Sequence, residues 1–372
     1  ILAANNDPGY NSNSGCGEAS NRNDTITFSV SGVITLTMGT LPNIVSATTA
    51  GKLTIDGSGQ NITISGGTVR VMIVDSGADL TLQNLTIANG NAGAGLFGGG
   101  VENNGTLTIT GSTFSGNRAN DGGGVYNRGA VVITNSTFSS NSTTNNGGGV
   151  YNDGGTVTIT NSTFSGNSAS GSGGGVANGG PLTITNSTFS GNSASGSGGG
   201  VSNGGPLTVT NSTFSGNSAG SGGGVFVVGG AATLKNTIIA NSPSGGNCSG
   251  TFTATSTNNM ATDNTCGSSF TQVTPEQLNL GALAGSPAYF PLLPGSPAID
   301  AGTDDGCPTD SQNGVTRPQD GNGDSTATCD IGSYEAPAAS TPTPTATPTN
   351  TPTPTPTATP SPTPTSTPTA TP

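Results

Sequence analysis

The sequence has few of the residues on which most binding and catalytic chemistry depends. It contains no Trp and no His, 7% charged and 4% aromatic residues, and 7 Lys+Arg against 19 Asp+Glu. So few, scattered cations cannot form a surface that follows a phosphate backbone, so nucleic acid is not an expected partner. No apolar run reaches about 18 residues, so we expect no membrane-spanning helix in this chain.

Glycine, by contrast, is abundant, at 63 of 372 residues, and it is periodic. Gly-Gly-Gly-Val motifs end at Val101, Val125, Val150, Val176, Val201 and Val225, and a Phe-x-x-Asn motif steps in parallel at Phe114, Phe138, Phe164, Phe189 and Phe214. The steps are 24 to 26 residues. A fixed period of this size is typical of a solenoid, whose repeats bury their apolar faces against one another.

Each repeat holds three short stretches of Val, Ile, Thr, Leu and Phe separated by Gly, Asn and Ser, without apolar residues at helical spacing. Stacked coils pair such strands in parallel, and parallel crossovers are right-handed. The prediction is an all-β protein, a right-handed parallel β-helix with three short strands per coil of about 25 residues. Alternation points Leu182 and Ile184 inward and Thr183 and Thr185 outward. The Phe and Val residues of the two motifs should stack as core ladders.

Composition divides the chain into four segments. Residues 1–23 are polar and irregular and are expected to form an N-terminal cap, and residues 24–245 carry the β-helix, in about ten coils. Residues 246–335 form a compact, loop-rich C-terminal domain. Residues 336–372 contain only Ala, Pro, Ser, Thr and Asn, which predicts a disordered, extended Thr/Pro-rich stalk. Because the chain begins at Ile1 without a Met or a signal peptide, we expect a processed product or a fragment.

Four of the five cysteines lie in the C-terminal domain. Cys248 with Cys266, and Cys307 with Cys329, are close in sequence in a segment poor in large apolar residues, which favours two disulfides and an extracytoplasmic location. Zinc is the competing interpretation, but the chain lacks both His and a Cys-x-x-Cys motif. Cys16 is left without an assigned partner.

The repeats resemble those of the chlamydial polymorphic outer-membrane proteins, which are defined by Phe-x-x-Asn and Gly-Gly-Ala-(Ile/Leu/Val). Here Gly replaces the Ala, and no autotransporter-like barrel follows. The opening (ILAANNDPG, DTITF, LTIDGSG) resembles the segment that follows the Cys-Ser-Leu-Arg-Glu-Ala motif of bacterial surface β-helix proteins; that motif itself is absent, and its cysteine is a candidate partner for Cys16. Residues 291–335, with PLLPGSPAIDAG, GVTRPQDGNGD and CDIGSYE, resemble the choice-of-anchor Q domain. These resemblances imply a bacterial surface location.

Catalytic chemistry has little support in the repeats. Polysaccharide lyases and hydrolases with this fold need clustered carboxylates, or calcium with a basic residue. The repeats offer only Glu102, Arg118, Asp121, Arg128 and Asp153, and no charge occurs between Asp153 and Lys235. Arg118, Asp121, Arg128 and Asp153 lie near turns of adjacent coils, where they either approach one another or are solvated surface charges. Tyr126 and Tyr151, outward on adjacent coils, are the one candidate aromatic pair for sugar stacking. No catalytic or cofactor-binding residue is assigned.

Two repeated polar features invite functional hypotheses. Outward threonines are expected in two stacked rows, interrupted by Val132, that resemble the ice-binding face of some antifreeze proteins: Thr108/Thr110, Thr158/Thr160, Thr183/Thr185 and Thr208/Thr210. Threonine is equally a good exposed strand residue. Asn-Ser-Thr recurs at Asn135, Asn161, Asn186 and Asn211, which we interpret as a ladder of corner amides rather than as glycosylation sites.

One stretch of the C-terminal domain has calcium-ligand spacing. Asp320, Asn322 and Asp324 match positions 1, 3 and 5 of a calcium loop, but Ser325 and Ile331 occupy positions 6 and 12, so the EF-hand pattern fails. Calcium bound there, with Asp300 or Asp330, is the hypothesis, and a polar turn is the alternative.

The sequence therefore predicts an extracellular or cell-surface bacterial protein with a non-enzymatic, structural or adhesin-like role. It would present a repetitive rod on a stalk to a cell-surface glycan or protein, or to neighbouring cells. A polysaccharide-binding or polysaccharide-degrading (pectate-lyase-like) β-helix is the alternative, and an ice-binding protein the third.

Overall fold

The computed structural model describes residues 23–37, 39–45, 51–339 and 358–363. Cys16, nearly all of the predicted cap and most of the Thr/Pro-rich tail lie outside the described residues. The chain divides into two units, Ile1–Ala339 and Ser340–Pro372. In the second unit, residues 358–363 are exposed and have no regular secondary structure.

The first unit is a right-handed parallel β-helix of about nine turns, which confirms the predicted fold. Short strands stack in exact register from one coil to the next: Phe164 pairs with Phe189, Ile159 with Ile184, and Val150 with Val176. The register follows from the repeat, since any slip by one residue would turn the apolar set outward.

Three long sheets form the walls, and we name them sheets A, B and C. Sheet A comprises Asp24–Thr27, Lys52–Asp56, Asp79–Gln83, Thr106–Thr110, Ala130–Thr134, Thr156–Thr160, Leu182–Thr185, Leu207–Thr210 and Ala232–Lys235. Sheet B comprises Gly32–Thr35, Ile62–Ser65, Thr86–Ala88, Thr113–Ser115, Thr137–Ser139, Thr163–Ser165, Thr188–Ser190, Thr213–Ser215, Ile238–Ala240, Asn259–Ala261 and Phe270–Gln272. Sheet C comprises Met72–Val74, Val101–Asn103, Val125–Asn127, Val150–Asn152, Val176–Asn178, Val201–Asn203, Val225–Val227 and Cys248–Ser249.

A fourth, short row of strands was not among the three predicted per coil. It comprises Arg118–Ala119, Ser142–Thr143, Ser168–Ala169 and Ser193–Ala194. These two-residue strands follow the Asn of Phe-x-x-Asn and, apart from Arg118, carry small residues, so they lack the apolar alternation by which the other strands are recognised.

The core is a column of stacked side chains. Phe114, Phe138, Phe164, Phe189 and Phe214 are completely buried, as are the six valines of the glycine motifs. Successive phenylalanine rings are nearly parallel, with centroids 4.6 to 4.9 Å apart. This spacing equals the distance between neighbouring strands, so each ring lies directly over the one in the coil below.

The Asn of each Phe-x-x-Asn motif is also inside. Asn192 is buried; its Oδ1 accepts the backbone N–H of Asn167 at 3.0 Å and the Asn167 amide at 2.9 Å. Its Nδ2 donates to the Phe164 carbonyl at 2.9 Å. The same contacts recur along Asn117, Asn141, Asn167, Asn192 and Asn217, and we call this set the inner amide ladder. A second buried ladder joins Asn103, Asn127, Asn152, Asn178 and Asn203.

At each position of the glycine triplet, a different steric constraint requires glycine. Gly122 has φ of 65°, a conformation that other residues adopt only with strain. A Cβ on Gly123 would lie 2.4 Å from the Gly148 carbonyl oxygen. On Gly124 it would lie 2.6 Å from the Gly149 oxygen and 2.9 Å from the Phe138 ring, so an alanine would clash here.

Strand pairing continues past residue 245, where the sequence predicts the β-helix to end. Cys248–Ser249 adds to sheet C, and Asn259–Ala261 and Phe270–Gln272 add to sheet B. Both predicted disulfides, Cys248–Cys266 and Cys307–Cys329, are present. One helical turn, Pro275–Leu278, and an antiparallel pair, Ala284–Gly285 with Ala288–Tyr289, follow.

Residues 286–336 then fold back along the outer surface of sheet B, and we call them the C-terminal segment. Thr163 donates to the Ala288 carbonyl at 2.5 Å, and Asn211 donates to the Asp330 carbonyl at 3.0 Å. A second apolar cluster forms beneath, including Ile238, Met260, Leu278, Leu292 and Ile331. Ile238 and Met260 continue the outward row of sheet B. The outer surface of sheet B is therefore buried from solvent at this end.

Candidate functional site

The outer surface of sheet A carries the predicted threonine rows. Strand pairing aligns Thr108, Val132, Thr158, Thr183 and Thr208 in one row and Thr110, Thr134, Thr160, Thr185 and Thr210 in the next. We call these ten residues the threonine face. With about 4.8 Å between coils and about 6.6 Å between alternate residues, the array measures about 19 by 7 Å.

This face is polar, uncharged and free of protein partners. Among the hydrogen bonds of the described residues, none involves the hydroxyl of any threonine in the face. Thr183 and Thr208 are exposed, the other threonines are partly exposed, and Val132 is 40% exposed. The face therefore offers alternating methyl and hydroxyl groups to whatever contacts it.

The predicted ladder of corner amides is wrong for most of its members. Asn135, Asn161, Asn186 and Asn211 do lie at corners, with φ of 45–50°. Asn is favoured there because its side chain tolerates the left-handed conformation. Their amides do not stack in a chain of hydrogen bonds, however. One contact of this kind is present, from the Asn236 amide to Asn211 Oδ1 at 3.3 Å. The side-chain amides of Asn186 and Asn211 donate instead to carbonyls of the C-terminal segment.

The aromatic pair predicted on sheet C is not available to a sugar. Tyr126 is only 2% exposed, and its ring stacks on Phe97 at 4.5 Å, with the Arg128 guanidinium 4.8 Å from its centroid. Its hydroxyl donates to Asp153. The Tyr126 and Tyr151 rings are tilted by 56°, so they do not stack. Burial, followed by the hydrogen bond to Asp153, raises the pKa of Tyr126.

The sequence predicts that four charged residues of the repeats either approach one another or are solvated surface charges: Arg118, Asp121, Arg128 and Asp153. Two of them form an ion pair. Arg128 Nε lies 3.1 Å from Asp153 Oδ2, with both side chains more than 40% exposed, so this ion pair adds little stability. Asp121 is buried and accepts from the Asn146 backbone N–H at 2.8 Å. Arg118 is exposed and makes no salt bridge in the described part of the chain. Glu102 pairs instead with Arg70, at 2.7 Å.

The C-terminal segment contains a buried cluster of three charged side chains. Arg317 Nε lies 3.3 Å from Glu335 Oε2, and neither side chain has any exposed surface. Arg317 also donates to the carbonyls of Gly332 and Tyr334, both at 2.9 Å. Asp330 accepts the backbone N–H groups of Asp300 at 2.8 Å and Ala336 at 2.5 Å.

Two carboxyl groups thus share one guanidinium in a dry site. Burial, with the nearby Glu335 carboxylate, raises the pKa of Asp330 to about 7. Burial also raises the pKa of Glu335, while Arg317 opposes that shift. These three residues lie in the RPQ, CDIG and YE stretches of residues 291–335. Their arrangement holds the segment together rather than forming an open site.

The calcium-spaced residues form a turn that is closed by its own backbone. Asp320 accepts from the N–H groups of Gly323, Asp324 and Ser325 at 2.7 to 3.1 Å, and Asn322 Oδ1 accepts from Asp324 N–H at 2.8 Å. Asp300 accepts from the Asn322 N–H at 2.8 Å, whereas Asp330 faces the buried cluster. Within the described ranges, no group of three or more His, Cys, Asp or Glu side chains is arranged to hold a metal ion.

The comparisons with known proteins agree with this architecture. Residues 43–196 and 100–266 each match the family model for the right handed beta helix region, so more than half of the chain is covered. The chain belongs to the right-handed β-helix family. A search of curated proteins found no match, and a search of solved structures found none either.

Membership of the β-helix family covers both enzymes and proteins without catalytic activity, so the surface must carry the functional argument. No helix among the described residues is long and apolar enough to cross a membrane. Among the features that sequence reasoning missed are the inner amide ladder and the Arg317–Asp330–Glu335 cluster. The buried Asn of Phe-x-x-Asn shares the period of Phe, but the Asn of Asn-Ser-Thr shares it too, so the period alone does not identify the inward asparagine.

Proposed function

We propose that this β-helix protein is a secreted or surface-attached bacterial rod with a structural or adhesin-like, non-enzymatic role. Its two disulfides are typical of proteins that fold in an oxidising, extracytoplasmic compartment. The resemblances to polymorphic outer-membrane repeats and to the choice-of-anchor Q domain point the same way. In this proposal the Thr/Pro-rich tail is the stalk that leads towards an anchor.

The threonine face is the observation that carries the proposal. It repeats one surface chemistry over five coils, and its hydroxyls are uncommitted. Many weak, identical contacts along a rigid rod favour attachment to another repetitive surface, because each added contact engages at little further entropic cost once the first has formed. A glycan, a surface protein or the surface of a neighbouring cell would each supply such a partner.

The test compares binding by the face with binding by another side of the same coils. Purified protein is applied to glycan arrays, to intact cells and to immobilised copies of itself. A double variant, Thr158→Lys/Thr183→Lys, places two charges on the face. The control, Ser170→Lys/Ser195→Lys, places the same charges at exposed positions directly after two strands of the short fourth row. The proposal expects loss of binding in the first variant only; absence of binding to all three targets would refute it.

A polysaccharide-degrading or polysaccharide-binding function has less support. It needs an exposed aromatic platform or a carboxylate cluster, and Tyr126 is covered by Phe97 and Arg128. Incubation with pectin, polygalacturonate and other polysaccharides, followed by measurement of released oligosaccharides, tests it directly.

Ice binding is favoured by one specific observation, the in-register Thr-x-Thr array of sheet A. Thermal hysteresis of a concentrated solution measures this function without any knowledge of a biological partner. Hysteresis that disappears in Thr158→Lys/Thr183→Lys would assign the threonine face to ice rather than to a cell surface.

Calcium binding by the Asp320–Asp324 turn stays a prediction. Calorimetric titration with Ca²⁺, together with the melting temperature in its presence, tests it. Neither heat nor a shift in melting temperature would leave the polar turn as the whole role of these residues.

A further inference from the structure

The outer surface of sheet B carries a second line of threonines, and the chain itself covers half of it. The line runs through Thr63, Thr86, Thr113, Thr137, Thr163, Thr188 and Thr213, which pair in register from coil to coil. We call it the threonine row of sheet B. Thr163, Thr188 and Thr213 are at most 1% exposed, whereas the first four are only partly buried.

The covered half shows which chemistry the row recognises. Thr163 donates to the Ala288 carbonyl and accepts from the Gln312 amide at 2.9 Å. Thr188 donates to Gln312 Oε1 at 2.6 Å. Thr213 accepts from the backbone N–H of Ser333 at 3.0 Å. The partners are peptide groups, a carboxamide and the Ser333 hydroxyl, which lies 2.9 Å from the Thr188 hydroxyl and donates to Thr213 at 3.3 Å. One glutamine spans two coils.

The uncovered half continues this interface without a break. A cleft of ≈ 410 Å³ lies at the edge of the surface that the C-terminal segment covers. Thr113, Asn135 and Thr137 line one side of it, and Pro287 and Asn313 line the other. A smaller cleft of ≈ 160 Å³ adjoins it at Gly111 and Thr113 and extends past Thr86 to Thr63. No Asp, Glu, Lys or Arg lines either cleft. In the described residues, no protein hydrogen bond involves the hydroxyls of these four threonines.

We propose that this groove, from Thr137 to Thr63, binds an extended, uncharged segment of another polypeptide. The segment lies along the rod axis, in line with the C-terminal segment, and its backbone groups or Gln and Asn side chains bond the free threonine hydroxyls. Three coil steps of about 4.8 Å make the groove about 14 Å long, which accommodates four to five residues at about 3.3 Å each. The neutral lining excludes a charged segment, since its charge would lose hydration without gaining a counter-ion.

A polypeptide fits better than a polysaccharide for two reasons. The occupant of the adjoining half is polypeptide, bound through carbonyl, N–H and carboxamide groups and one serine hydroxyl. The groove also lacks the exposed aromatic ring on which a sugar would stack, because its lining contains no Phe, Tyr or Trp. This inference concerns sheet B and is independent of the proposed role of sheet A.

The test uses an array of short uncharged peptides that includes acetylated and amidated copies of the five-residue covering sequence Ser311–Val315. Binding of fluorescent hits to the full chain is followed by fluorescence anisotropy. The variant Thr113→Val/Thr137→Val removes two hydroxyls while keeping β-branched side chains, and Thr110→Val/Thr134→Val makes the matched change on sheet A. Melting temperatures verify that both variants fold.

We expect hits whose affinity falls about tenfold or more in Thr113→Val/Thr137→Val, since two hydrogen bonds are lost, and is unchanged in the sheet A variant. Three results overturn the proposal: no peptide binds, both variants bind as the parent does, or neutral oligosaccharides bind this groove and displace the peptides. Binding that fails only in the sheet A variant would place the contact on the threonine face instead.

Discussion

Raising the pH through neutrality should loosen the C-terminal segment from sheet B. Among the described residues, Asp330 and Glu335 share Arg317 alone as a counter-ion, and all three side chains are buried. Asp300 and Tyr334, the other ionisable residues beside them, supply no further positive charge. Below neutral pH, one proton held in the cluster leaves a single negative charge to match Arg317. Above it, two carboxylates must remain in the dry site with one cation.

The sign and size follow from the pKa of Asp330. It rises from 3.8 to about 7 in the folded protein, so the folded state holds the proton more tightly than the unfolded state. The stabilisation is therefore complete below about pH 4 and is lost as the pH rises to about 7. A shift of about three pKa units, at 1.36 kcal/mol each, corresponds to about 4 kcal/mol.

Thermal unfolding between pH 4 and 9, with limited proteolysis of the C-terminal segment at each pH, measures this effect. Carboxylates with lowered pKa, such as Asp56 and Asp305, lose their stabilisation only as the pH falls below about 4, so the two windows are separate. Asp330→Asn removes the titrating proton and should flatten the profile above pH 4. A melting temperature and protease sensitivity that stay constant from pH 5 to pH 8 would refute the reasoning.

The remaining predictions concern the ladders and the disulfides. Phe189→Ala should lower the free energy of unfolding by about 3–5 kcal/mol in urea denaturation, because the ring is fully buried between two others, whereas Thr185→Ala, on the surface, should change it by about 0.5 kcal/mol or less. Asn192→Ala should cost about 1–3 kcal/mol for each buried backbone group left unpaired, notably the Asn167 N–H; equal stability would contradict the amide ladder. Replacing Cys307 and Cys329 by Ser opens a loop of 22 residues and should lower stability by about 3 kcal/mol, seen as a lower melting temperature.

Periodicity explains why much of the fold was predictable. Phe189 and Ile184 recur at a fixed step beside strand-forming residues, and only a stacked coil buries all of their counterparts at once. The cysteines were predictable for a different reason, since each pair is close in sequence in a segment that lacks a large apolar core.

The same periodicity could not identify which asparagines face inward. Asn186 and Asn192 recur with an identical step, and the alternation of strand side chains does not extend through the corner between them. Asn186 takes the left-handed corner conformation, with φ of 48°, while Asn192 enters the core. The repeat period does not distinguish the two asparagines, because the difference between them depends on the backbone dihedral angles at one turn.

The packing of the C-terminal segment on sheet B was likewise beyond sequence reasoning. Gln312 bonds Thr163 across 149 residues, and Ser333 bonds Thr213 across 120. These contacts occur once each, so the repeat gives no sign of them, and the open Thr137 lies in the same Asn-Ser-Thr-Phe-Ser context as the covered Thr163.

The positions that define this repeat, Phe and Asn of Phe-x-x-Asn and the glycine triplet, are all inside or at close backbone contacts. They therefore report the fold, and resemblance in these motifs alone carries little information about a ligand. Function must reside in residues that face outward. On sheet C the outward row changes from Glu102 and Tyr126 to Ala177 and Ser202, whereas on sheets A and B threonine is kept at successive coils. A surface that repeats with the coil suits a partner that is itself extended or repetitive, because only such a partner meets the same group at each step of about 4.8 Å.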